Sequence, residues 1–129
     1  MRLIDADEAV LAAIKAAGIE AHITALDAFT GNEGVVVQAL PATVTSTDFD
    51  GTQHLGAKVQ IIARYFGRNK AREAVERIVS LLDGIPLPSP SGRYTWEETE
   101  IYTWPQRMDD SKYDTWEVKI NVQIARERR

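Results

Sequence analysis

The sequence predicts an α+β fold: two helices packed on a mixed, largely antiparallel sheet with a long projecting β-hairpin, in the order α-β-β-β-α-β-β. Two observations carry this reading. Apolar residues recur with a period near 3.6 only around residues 5–18 and 69–84, and with a period of 2 over most of the rest. Gly, Pro and Asp-Gly clusters separate these stretches. At 129 residues the chain suits a single domain, 1–129.

The first helix has Asp5 as its expected cap, with Glu8 at capping-box spacing, and Val10, Leu11 and Ile14 along one stripe before a stop at Gly18. Ile19, Ala21 and Ile23 alternate with polar residues, predicting a strand near 19–28, and a turn cluster runs from Thr30 to Gly34. Val35-Val36-Val37 opens a long hairpin over 35–66, in which Pro41 marks an edge, a bulge or a strand start. Asp48-Phe49-Asp50-Gly51 turns it, and Val59, Ile61, Ala63 and Tyr65 share one face of the return.

Asn69 is the expected cap of the second helix. Ala71, Ala74, Val75, Ile78, Val79 and Leu82 form its apolar face, Arg72 and Glu76 stand at i,i+4, and Gly84 ends it. Pro86, Pro88 and Pro90 then stiffen a connection that is not helical. A strand is expected over 93–104, a polar loop from Pro105 to Asp114, and a half-buried strand in which Trp116, Val118, Ile120, Val122 and Ile124 alternate with polar residues.

Composition excludes several function classes. With no cysteine there is no disulfide, thiolate metal site or cysteine nucleophile. A net charge of −4 disfavours broad binding to a nucleic-acid backbone. No apolar run approaches the ~20 residues of a membrane-spanning helix, and Asp5 follows too soon after Met1 for a secretory signal. No cofactor motif occurs: P-loop, G-x-G-x-x-G and G-x-S-x-G are all missing, and His22 and His54 are not spaced as metal ligands.

Asp48-Phe49-Asp50-Gly51-Thr52 does match the D-x-D-G-T signature of haloacid-dehalogenase-like phosphatases. There Asp48 would be the phosphoryl acceptor and Asp50 the general acid/base, with Asp109-Asp110 as magnesium-binding acids and Lys58 or Lys70 on the phosphate. That chemistry needs a buried parallel strand before the motif and a helix after it. The polar run Ala42 to Thr47 and the strand that follows fit a hairpin turn instead.

Six of the ten aromatic residues lie within 94–116. Strict alternation puts Tyr94, Trp96, Tyr102 and Trp104 on one strand face with Glu98 and Glu100, unless a bulge near 97–100 divides them. As Trp and Tyr are enriched in protein interfaces, Phe49, Tyr94, Trp96, Tyr102 and Trp104 are the expected contact residues. A pocket lined by Trp96, Trp104 and Trp116 is a further reading. Arg68, Lys70 and Arg72 sit against the dipole of the second helix and read as a solvated face, and Arg126 to Arg129 as a frayed end.

The strand Val59-Gln60-Ile61-Ile62-Ala63-Arg64, the helix from Ala71-Arg72-Glu73-Ala74 to Leu81-Leu82-Asp83-Gly84, and the late Val/Ile-alternating strand together resemble tail-terminator and minor-capsid proteins of long-tailed bacteriophages. The resemblance spans most of the chain. It implies a non-enzymatic virion assembly protein, a small α+β subunit forming a homo-oligomeric ring, with six copies as the expected number. Such a ring caps the tail tube and meets the head connector. The expected location is the virion tail, and the host cytoplasm during assembly.

Overall fold

The computed structural model describes residues 5–19, 21–23, 33–66, 69–88, 92–108 and 114–127. The expected features at 24–32, Arg68, Pro90, the Asp109-Asp110 pair, Tyr113 and the last two residues lie outside them. The elements are α1 (Ala6–Ala16), β1 (Ala21–Ile23), β2 (Gly34–Thr47), β3 (Thr52–Tyr65), α2 (Lys70–Leu82), β4 (Thr95–Met108) and β5 (Asp114–Glu127), in the predicted order.

The strands form one five-stranded sheet ordered β1-β2-β3-β5-β4. β1 pairs with β2 in parallel and every other pairing is antiparallel. β5 is inserted between β3 and β4, so the strand with the cleanest Val/Ile alternation occupies a central place, where its apolar face is fully covered.

The predicted amphipathic faces meet in one core. Val10 and Ile14 of α1 and Ala71, Val75, Ile78 and Leu82 of α2 pack on Val35, Val37, Val59, Ile61, Val118, Ile120, Val122 and Ile124. The opposite sheet face holds a much smaller apolar cluster of Val36 and Ile62 beneath Met108. Arg72 and Glu76 form the i,i+4 pair at 3.7 Å.

Several local expectations are corrected. Asp5 precedes α1, but its side chain makes no capping bond and instead accepts the Tyr94 hydroxyl, while its backbone carbonyl receives Glu8 and Ala9. Asn69 likewise makes no side-chain cap. Its φ of 70° turns the chain from β3 into α2, a left-handed conformation that Asn tolerates, and its carbonyl accepts the Glu73 amide at 2.8 Å. The loop expected from Pro105 is strand to Met108. The missing donor is tolerated because β4 is an edge strand and its register slips between Thr103 and Gln106. Pro41 sits in the same way at a register shift between Leu40 and Thr43.

Candidate assembly surface

The D-x-D-G-T segment is the turn of the β2–β3 hairpin. The Gly51 amide donates to Asp48 O at 3.0 Å and the Asp48 amide to Thr52 O at 2.8 Å, while Gly51 takes φ +92°. Asp50 Oδ1 accepts the Thr52 amide at 3.0 Å, and that bond holds its carboxyl below the usual carboxylate range. Asp48 Oδ2 lies 3.0 Å from His54 Nε2, and Glu97 Oε1 lies 3.5 Å from Nδ1. The bond to Asp48 is the main cause raising the His54 pKa above 6.5, with Glu97 adding to it. The motif therefore joins two antiparallel strands at an exposed tip. β2 pairs in parallel with β1 only at Val35–Val37, at its far end, so the arrangement expected of a phosphatase nucleophile is not the one these residues adopt.

Phe49 stands at that tip, fully exposed. The other four aromatic candidates divide into pairs. β4 shifts register between Trp96 and Glu98, again between Ile101 and Thr103, and again between Thr103 and Gln106. Each slip re-aims the residues that follow it. Tyr94 and Trp96 consequently enter the core at 6% and 5% exposure, whereas Tyr102 and Trp104 stand out at 43% and 60%. The bulge expected near 97–100 is present, and the single aromatic face is not.

Burial makes Tyr94 and Trp96 internal props. Tyr94 Oη donates to Asp5 Oδ1 at 2.6 Å, and Trp96 Nε1 donates to Thr99 Oγ1 at 2.8 Å, which in turn donates to Ile85 O at 2.7 Å. On the helix-free face, Lys58 Nζ lies 5.8 Å from the Tyr102 ring centroid, a cation–π contact. The three tryptophans do not line one pocket. Trp96 pairs with Ile124 and Arg107 with Trp116, about 26 Å apart along β5 at ~3.3 Å per residue.

The two sheet borders differ. The outer border of β4 carries Glu97, Glu98 and Glu100, Pro105 and three register shifts, features that discourage a further strand from pairing there. β2 has no charged residue over Gly34–Thr47, and β1 pairs only with Val35–Val37. Beyond that point Pro41–Thr47 is exposed, with no strand partner on its outer side among the described residues.

Sequence reasoning passed over two features. Glu117, buried on the helix-free face, accepts Gln60 Nε2 at 3.0 Å and Gln106 Nε2 at 2.7 Å, tying β3, β5 and β4 together. A groove of about 380 Å³ opens between the end of α1 and the start of α2, lined by Gly18, Ile19, Tyr65, Lys70, Glu73, Ala74 and Arg77. The misplaced basic charge at the start of α2 was the available signal for it.

Among the described residues no three His, Asp or Glu side chains gather as a cation site, and no helix is long and apolar enough to cross a membrane. No family model matches the sequence, and no curated protein matches it either. Among solved structures, a chain from the "Virion of native gene transfer agent (GTA) particle" is similar in fold, with a TM-score of 0.62 and 13% identity. The match covers 92% of this chain and 93% of that one.

Proposed function

We propose that this chain is a structural subunit of a phage-type virion, of the tail-terminator kind, which closes into a ring capping the tail tube and joining it to the head connector. The observation that carries the reading is the fold shared, nearly end to end, with a chain of a virion particle. The resemblance to tail-terminator proteins points the same way. The surface supplies material for it: an uncharged border on β2 that has no strand partner over Pro41–Thr47 among the described residues, exposed aromatic residues at Phe49, Tyr102 and Trp104, and a hairpin tip held by its own hydrogen bonds. A closed ring needs two different, complementary patches per subunit, each covering roughly 800 Å² per partner.

Light scattering on the purified chain, with negative-stain microscopy alone and with tail tubes, tests this. Discrete rings, free or seated on tube ends, are the expected result. A chain that stays monomeric to its solubility limit and leaves tube ends bare overturns it.

A further inference from the structure

We propose that Phe49 is the knob of a head-to-tail contact between copies of this chain, seating in the groove between α1 and α2 of the neighbouring copy. Asp48 and Asp50 then meet Lys70 and Arg77 on the groove's rim. This deepens the ring reading above and rests on it.

The knob is built for an outside partner. Phe49 is fully exposed, yet the turn that displays it is fixed on both sides. One oxygen of each flanking carboxylate is held by its own hairpin, Asp48 by His54 and Asp50 by the Thr52 amide. The result is an aromatic ring between two oriented negative charges. A turn whose backbone is fixed before binding loses little chain entropy on docking, and an aromatic side chain, with only two χ angles, adds little more.

The groove answers it in shape and in sign. Ile19, Tyr65 and Ala74 give it apolar walls, and about 380 Å³ accommodates a phenyl ring with room for its flanks. Its charged lining is Lys70, Arg77 and Glu73, one net positive charge facing Asp50 and Asp48, the latter bonded to His54. Arg77 is oriented by donating to Ala17 O at 2.7 Å. Glu97, Glu98 and Glu100 stand at the hairpin end of β4, where Arg126 is bonded to Gln53. Complementary ends of this kind set orientation and speed encounter.

The contact must be between molecules. β3 runs from Thr52 beside the turn to Tyr65 in the groove, about 43 Å at ~3.3 Å per residue. Knob and groove thus lie at opposite ends of one subunit, the heterologous arrangement from which rings close.

Light scattering over a concentration series tests the pairing. Phe49→Ala, and separately Ala74→Trp to fill the groove, are each expected to raise the assembly midpoint at least about thirty-fold with the melting temperature of the monomer unchanged. Mixed in equal amounts, the two variants form a dimer and nothing larger, because each pair has one intact knob facing one intact groove. Lys70→Glu serves as the groove variant if Ala74→Trp perturbs the fold. Phe49→Ala that assembles like the parent overturns the knob and leaves the ring reading standing. Loss of assembly in both variants with no dimer on mixing overturns their pairing, and a parent that assembles neither alone nor on tube ends overturns both readings.

Discussion

The Tyr94 hydroxyl donates to Asp5 Oδ1 at 2.6 Å, linking residues 89 positions apart, and both are buried. This bond joins the start of α1 to the entry of β4 on the far border of the sheet. It also explains why Asp5 does not cap its own helix, since its carboxylate is drawn to the phenol.

Tyr94→Phe leaves that buried carboxylate without its donor and is expected to cost ~1–3 kcal/mol. Urea unfolding checks it. Adding Asp5→Ala to Tyr94→Phe should cost less than the sum of the single changes, because the two residues share the interaction.

Thr99→Val keeps the side-chain shape but removes the oxygen that receives Trp96 Nε1 and the hydroxyl that reaches Ile85 O. A loss of ~1–3 kcal/mol is expected, chiefly from the unpaired indole N–H. Urea unfolding followed by tryptophan fluorescence measures the loss, and Thr99→Ser, which keeps the hydroxyl, should recover most of it.

His54 makes the hairpin tip sensitive to pH. Its folded-state pKa lies above 6.5, so the stability it contributes is fully present below pH 6.5 and is lost as pH rises through the folded value. Proton NMR titration of the His54 ring should give a pKa above 6.5 in the parent and a lower one in Asp48→Asn. The stability advantage of the parent over Asp48→Asn should shrink between about pH 6 and pH 8.

Gly51→Ala places a side chain at φ +92°, where L-residues are strained. A destabilisation of ~1–2 kcal/mol is expected in thermal or urea unfolding, with no crowding contribution, since no atom lies within 4 Å of the added carbon.

The legible parts of the fold were those with a short-range cause. The stripe from Ala71 to Leu82 needs only the 3.6 period, and Asp-Gly at 50–51 needs only a turn that accepts positive φ. The candidate site was legible in part. Of the five expected contact residues, Phe49, Tyr102 and Trp104 are exposed, whereas Tyr94 and Trp96 are core. A strand's faces alternate residue by residue, so one slip at Glu97 is enough to separate residues that strict alternation keeps together.

By itself the sequence determined the order of elements, the apolar faces of both helices and the turn at 48–51, because each follows from backbone preferences and spacing within a few residues. Only the tertiary structure decided that β5 lies between β3 and β4, that Asp5 serves Tyr94 instead of its helix, and that Ile19, Tyr65 and Ala74 form a groove at the opposite end of β3 from Phe49. Those outcomes depend on contacts between residues far apart in the chain, whose free energies local patterning does not contain.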